Sequence, residues 1–453
     1  MTDLPSVPRQ MPDSSGMPDS PAVQGRPTFG EAMRFWTRLG WISFGGPAGQ
    51  IAIMHAELVE RRRWVDEPHF LHALNYCMLL PGPEAQQLAT YLGWMMHGPA
   101  GGIAAGLLFI LPSVFILIAA AWVYCAFGHA IWLAGLLAGV KPAVIAVVAA
   151  AGMRLGRRTL RHPWAWSVAI AAFLALAVLR APFPAIIAVA ALVGYLVGRL
   201  RPSWLRVAST PDRTGSISLD PSATSNYRGL FITTACALTL WAGTIGILIA
   251  VARPGDLRVP MAWFFTKAAL LTFGGAYAVL PYVQQALVEN FHWISANQMI
   301  DGLALGETTP GPLIMVVAFV GFVADWNRHG ADVAGAWSAV ASALVAVFFT
   351  FLPSFAFILG GAPLVEATRG RVAFTAPLAG ITAAVVGVIA NLGVYFATHV
   401  MFPTGVGDGP QWFAIVLSVA AAVALIRLRW NVMWVIGLCA AIGLARGWPG
   451  GYY

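Results

Sequence analysis

Five charged side chains stand within otherwise apolar stretches of this chain: Arg38, Lys141, Lys267, Glu84 and Glu307. A charge at the centre of a bilayer costs roughly 2.5 to 3.5 kcal/mol on insertion scales, so such residues mark ion pathways, proton carriers or partners for one another. Lys141 lies mid-segment between Gly139 and Pro142, while Arg38 and Lys267 each stand seven residues before a Gly-Gly pair. A cation so placed binds an anion, reaches up to the interface along its own stem, or pairs with a carboxylate. Glu84 is followed by Gln86 and Gln87, and Glu307 by Thr308 and Thr309. A carboxylate in an apolar site can carry a proton or form a fixed ion pair, and the Gln and Thr side chains offer donors to an oxyanion or cap their own half-helices.

Both acids adjoin a place where a helix must break. Pro81-Gly82-Pro83 and Pro310-Gly311-Pro312 interrupt apolar segments, as do Phe44-Gly45-Gly46-Pro47 and Phe273-Gly274-Gly275. Proline removes a backbone donor and glycine relaxes the helix, and broken backbone at membrane depth survives only where it lines a cavity. A half-helix starting there points N–H groups and a positive dipole end into that cavity, an arrangement that suits an anion. A kinked helix without a ligand would use the same residue types, but four breaks at matched positions favour a site.

The matching is an internal repeat. Phe35-x-Thr37-Arg38 with Phe44-Gly45-Gly46 recurs as Phe264-x-Thr266-Lys267 with Phe273-Gly274-Gly275, an offset of 229 residues that Trp64/Trp293 and the two Pro-Gly-Pro triplets share. Leu111-Pro112-Ser113 then matches Leu352-Pro353-Ser354 at 241, which places a 12-residue insertion near Asp325 to Ala336. Constant spacing through Gly, Pro and Trp landmarks indicates duplication.

Apolar segments fall near 32–56, 70–97, 100–127, 130–153, 164–180 and 183–199, and again near 262–288, 297–323, 334–360, 372–397, 411–427 and 431–446. Leu230 to Val251 has no counterpart, and one extra crossing between repeats inverts the second against the first. The expected division is a disordered cytoplasmic tail (1–28), a first repeat (29–200), a cytoplasmic linker (201–228), the inverting helix (229–252) and a second repeat (253–453). Arg61 to Arg63, Arg154, Arg157, Arg158, Arg161, Arg199, Arg201, Arg206, Arg369, Arg371, Arg427 and Arg429 all reach the cytoplasm only if the first two segments of each repeat are re-entrant or broken hairpins. Nine full crossings then remain, with the N-terminus inside and the C-terminus outside; thirteen full crossings are the alternative.

Composition agrees. Of 453 residues, 58% are hydrophobic and 10% charged, and mean hydropathy is +0.73, against roughly 25% charged residues in soluble domains. This excludes a water-soluble enzyme and points to an all-α polytopic membrane protein whose first partner is the lipid bilayer. The 27 Lys plus Arg outnumber the 19 Asp plus Glu, but Arg runs beside apolar segments fit cytoplasmic loops and no nucleic acid. Cys77, Cys125, Cys236 and Cys439 are scattered, with no metal-ligand spacing, and no phosphate loop or hydrolase triad is present. Neither enzyme chemistry nor a cofactor or metal is expected.

The runs F-x-T-R-x-G-x-x-S-F-G-G-P at 35–47, L-L-P-G-P-E-A-Q-Q-L-A at 79–89, T-F-G-G-A-Y at 272–277 and G-E-T-T-P-G-P at 306–312 together resemble the chromate ion transporter family, in its long form with two homologous halves. The resemblance covers about 30–430 and implies efflux of chromate from a bacterial cytoplasm across the inner membrane, driven by the proton motive force and giving chromate resistance, with sulfate as a close analogue. On this chain the motif residues are Arg38, Gly45, Gly46, Pro81, Gly82, Pro83, Glu84, Gln86 and Gln87, then Gly274, Gly275, Glu307, Thr308, Pro310, Gly311 and Pro312; Lys267 stands where the first repeat has Arg. With Lys141 and Thr309 they form the expected anion site, Glu84 and Glu307 serving proton coupling or an ion pair. A sulfate or other oxyanion transporter working by uptake or exchange, and a passive anion channel, are the alternatives; the residues leave a homodimer open.

Overall fold

The computed structural model describes residues 27–128, 130–201, 204, 227–330, 332–365, 375–403, 405 and 409–447. Nearly all of the expected tail and linker, with Arg206, Arg369 and Arg371, lies outside the described residues. Those residues form α-helices joined by short connections, with no strand among them.

The first repeat begins with short helices. α1 (Phe29–Ile42) is launched by a capping box in which the Thr28 side chain and Glu31 satisfy each other's backbone. α2 (Gly46–His55) continues through a π-helical stretch, Ala56–Arg61, and α3 (Glu67–Leu79) is capped by Asp66. α3 stops because Pro81 forbids helical backbone at Leu80, which is extended at φ −91°, ψ 149°. α4 (Glu84–Ala126) is two helices in one, since His97 and Gly98 leave helical geometry. At 1.5 Å per residue, 14 residues of α1 or 13 of α3 reach only about 20 Å, short of the ~30 Å hydrocarbon core. These are half-helices meeting at the breaks.

The chain continues through α5 (Ile131–Thr159), the shorter α6 (Pro163–Ala177), α7 (Phe183–Leu200) and the unmatched α8 (Tyr227–Val251). The second repeat runs α9 (Arg258–Leu270), α10 (Ala276–Gln284) with its own π-helical stretch Gln285–Asn290, α11 (Ala296–Thr308), α12 (Val316–His329), α13 (Val333–Val365), α14 (Thr375–Met401), α15 (Trp412–Ile426) and α16 (Val432–Gly447). The 229-residue spacing survives in three dimensions: α3 and α11 start and end at matched positions, as do the two π-helical stretches. Even the uncommon positive φ of Arg63 recurs at its counterpart His292. The first part of the insertion extends α12 past Asp325, the counterpart of Met96, to Trp326, Asn327 and His329.

Six helices among the described residues are long and apolar enough to cross a membrane, and α6, α15 and α16 are shorter apolar helices. Their outward faces carry Trp166, Ile170, Phe231, Ile247, Val416 and Trp434, all more than half exposed, a surface that only lipid would cover in a monomer. The interior, by contrast, holds polar side chains, among them Ser43, Gln86, Gln87, Ser113, Thr272 and Ser354.

The repeats are interleaved. α6 and α7 of the first pack on α14 of the second, while α15 and α16 pack on α5. Gly139 and Gly443 permit the second crossing, since a Cβ on Gly139 would stand 2.1 Å from the Cys439 carbonyl. The beginning of α5 and the end of its counterpart α14 border one cavity, so the two helices run in opposite directions.

Candidate functional site

Each Pro-Gly-Pro triplet has a single backbone N–H between its prolines, and in both repeats that donor crosses to the other repeat. Gly82 donates to the Thr272 carbonyl at 2.7 Å, and Gly311 donates to the Ser43 carbonyl at 2.7 Å. Ser43 and Thr272 are counterparts, as are Gly82 and Gly311, so the four breaks meet in two equivalent pairs. The pairing answers the problem of broken backbone in an apolar medium, because a carbonyl orphaned after α1 or α9 receives the donor isolated between prolines. The Gln50 amide reinforces one pair by donating to the carbonyls of Gly311 and Ser43.

Two serines from the long helices complete these joints. The Ser113 hydroxyl donates to the Pro310 carbonyl, while its counterpart Ser354 donates to Gln86 Oε1 at 2.7 Å. The Gln86 amide donates to Thr90 at 2.9 Å, and that of Gln87 to the Pro81 carbonyl at 2.8 Å. Gly82 and Gly311 have φ of +137° and +105°, and a Cβ would fall 2.5 Å from Gln87 Nε2 and 1.9 Å from Ser113 Oγ respectively. Only glycine satisfies both the backbone and the space.

The acids adjoin these joints. Glu84, the first residue of α4, lies against the other repeat's break, its Oε1 3.5 Å from where a Cβ on Gly275 would stand. Gly275 is the N-cap of α10, so this carboxylate sits at the positive end of a half-helix. Buried Glu307, on the last turn of α11, accepts a hydrogen bond from Tyr277 of α10 at 2.6 Å. Arg154 and Arg158 stand one turn apart on an exposed face near the end of α5. Among the described residues, ion pairs within 4.0 Å include neither glutamate.

Lys141 has a different partner, Asp301 of α11, with Nζ 3.4 Å from Oδ1; Tyr124 donates to Oδ2 at 3.1 Å. This trio borders a cavity of about 560 Å³ with Asn297, Trp326, Asn327 and His399. The remaining expected residues are placed less centrally. Arg38 and Lys267 are exposed, opposite the faces by which α1 and α9 bury Phe35, Trp36, Phe264 and Phe265. Thr308 and Thr309 turn their hydroxyls back to the Leu305 and Gly306 carbonyls. Gly45, Gly46 and Gly274 take positive φ and shape the breaks, while Pro83 and Pro312 precede the helical turns that follow.

Sequence reasoning passed over Gln50, Tyr277, Tyr124 and Asp301. Asp301 was detectable by the rule that singles out Glu307, an acid inside the apolar segment 297–323, but it falls near the segment's start, where an acid reads as interfacial. A tyrosine in an apolar helix carries no comparable signal.

Comparison with known proteins bears on what this arrangement does. The sequence profile of the family described as Chromate transporter matches residues 30–195 and 259–444. A curated protein of Pseudomonas aeruginosa named "Chromate transport protein" is 33% identical over 417 residues, covering 91% of this chain and 90% of that protein. A "Chromate transport protein" of Cupriavidus metallidurans is 28% identical over 437 residues, 96% of this chain and 97% of its own length. A "Probable chromate transport protein" of Synechococcus elongatus is 28% identical over 359 residues, 79% of this chain and 82% of its own. No solved structure matches the chain.

Proposed function

The chain belongs to the chromate transporter family, and from that premise we propose that it is a secondary active exporter carrying chromate, a tetrahedral divalent oxyanion, out of a bacterial cytoplasm. It is a multi-pass membrane transport protein and not an enzyme. In this reading it lies in the inner membrane, with the Arg154, Arg157, Arg158 and Arg161 end of α5 facing the cytoplasm.

The observation that carries the proposal is the pair of joints, Gly82 to Thr272 and Gly311 to Ser43. Half-helices from both repeats meet there and supply a polar interior in an apolar protein, the arrangement on which secondary transporters build their substrate sites. The opposed directions of α5 and α14, with α8 as an unmatched crossing, support inverted repeats.

The Glu84 cluster supplies the inner binding site. A dianion needs N–H donors and positive field, which the start of α10 with Arg154 and Arg158 provides. Glu84 and the oxyanion are rival acceptors for that field, so the dianion enters when the carboxylate takes a proton or swings aside. Expulsion is favoured electrically: at about 2.3 kcal/mol per charge per 100 mV, a dianion leaving a cell with a negative interior gains about 4.6 kcal/mol per 100 mV. The membrane-potential component of the proton motive force is thus the first candidate for the driving force.

Everted membrane vesicles containing the protein test this directly. They should accumulate chromate when energised and lose that accumulation when valinomycin and potassium collapse the potential. Absence of flux defeats the proposal, and accumulation that follows the membrane potential alone, unchanged when nigericin collapses the pH gradient, replaces the coupled exporter with a passive channel.

A further inference from the structure

Lys141 and the Arg154–Arg158 face share one helix but belong to different places. Thirteen residues separate Lys141 from Arg154, about 20 Å at 1.5 Å per residue, a large part of the ~30 Å hydrocarbon core. The cavity of about 560 Å³ opens at the other end of α5 from those arginines, lined by the first half of α5, the starts of α11 and α15 and the ends of α4, α12 and α14. Lys141 is the one Lys or Arg among its described lining residues.

We infer that Lys141, with Asp301 paired to it, forms a second oxyanion site at the opposite end of the path from the Glu84 cluster, one that holds a small divalent oxyanion loosely and releases it. The inference rests on the transporter reading for its place in a path.

The geometry separates the two partners. The Lys141 side chain is 22% exposed and that of Asp301 3%, so Lys141 is the more accessible of the two. Their 3.4 Å separation is looser than the 2.7 to 2.9 Å of a well-made charge-assisted hydrogen bond. Tyr124 holds the other carboxylate oxygen at 3.1 Å, while Asp301 Oδ1 is buried with no hydrogen-bond partner among the described residues. Both side chains border the cavity, and the loose pairing leaves Lys141 able to engage an oxyanion while Asp301 stays held by Tyr124. The oxyanion feels the attraction of Lys141, partly cancelled by the negative charge of Asp301, with Arg446, stacked on the lining ring of Phe413, as a further cation beside the cavity. That makes a shallow well, and transport needs sites that bind enough to be entered and weakly enough to be left.

Cys125 lines the same cavity and is partly exposed, so it reports on the site in the unaltered chain. In right-side-out vesicles, labelling of Cys125 by a membrane-impermeant methanethiosulfonate is followed by mass spectrometry, with sulfate as the probe and chloride at matched ionic strength as the control. Cys125 should label from outside, and sulfate should slow the labelling. Lys141→Gln should abolish this protection and Lys141→Arg should retain it. Asp301→Asn should shift protection to sulfate concentrations lower by on the order of tenfold, the effect of removing one like charge across a partly wet cavity. A merely structural ion pair would lose protection in both Lys141→Gln and Asp301→Asn. That shared loss, labelling only from inside, or no sulfate protection in the unaltered chain overturns the site. Protection in a protein that moves no chromate in everted vesicles would uphold the site and defeat the exporter; transport without protection would do the reverse.

Discussion

Gly82 donates its backbone N–H to the carbonyl of Thr272 at 2.7 Å, and the same bond recurs from Gly311 to Ser43. Each joins the Pro-Gly-Pro break of one repeat to the Gly-Gly break of the other. Neither repeat by itself satisfies the backbone it interrupts, so the joints are stable only with both present.

The joints should be intolerant of a methyl group. Gly311→Ala places Cβ 1.9 Å from Ser113 Oγ at a φ of +105°, combining overpacking of about 1 to 3 kcal/mol with the cost of left-handed backbone. Gly45→Ala, with a φ of +88° and nothing within 4 Å, meets only the backbone cost, about 1 to 2 kcal/mol. Thermal unfolding in detergent should rank Gly311→Ala well below Gly45→Ala, and equal losses would contradict the packing at the joint.

Glu84→Gln should change substrate affinity more than stability. Removing the charge at the start of α10 leaves the field there to the oxyanion, so the apparent KM for chromate should fall severalfold in everted vesicles. An unchanged or raised KM removes Glu84 from the binding site.

Tyr277 and Glu307 should behave as a unit. Tyr277→Phe and Glu307→Ala each remove one partner of the buried 2.6 Å bond, so their effects on unfolding should fail to add by roughly 0.5 to 3 kcal/mol. A double variant whose loss equals the sum of the singles would show that the bond carries no coupling.

Outside the spanning segments, Asp256 and Arg258 form a tight pair, Arg258 Nε lying 2.9 and 3.0 Å from the two carboxylate oxygens. Burial pushes the Asp256 carboxyl up, but hydrogen bonds and charge from Arg258 outweigh it and hold the group below the usual aspartate range. The pair's stabilisation is therefore complete above the ordinary aspartate pKa and disappears as pH falls through the lowered folded value. The melting temperature of the parent chain should drop over that acidic window more than that of Asp256→Asn; parallel curves would refute the assignment.

Much of the architecture was legible because a membrane penalises what it cannot accommodate. Charges, glycines and prolines are costly in apolar segments, so Glu84, Glu307, Lys141 and the four breaks stood out individually. The 229-residue offset survived because the same backbone interruptions recur in both repeats. Arg38 and Lys267 show the limit of that reasoning. Their register placed them near the breaks along the chain, yet α1 and α9 turn them away from the buried face.

The membrane setting, the duplication, the places where helices break and the acids beside them were all readable from residue type and spacing, since each is a local property of the chain. Three-dimensional packing set which break meets which, that Asp301 pairs with Lys141, that Tyr277 holds Glu307, and that α6 and α7 serve the other repeat's long helix. The physical reason is that bonds across the repeats join residues distant along the chain. Their partners are chosen by how interleaved helices pack, which leaves no periodic trace in either segment alone.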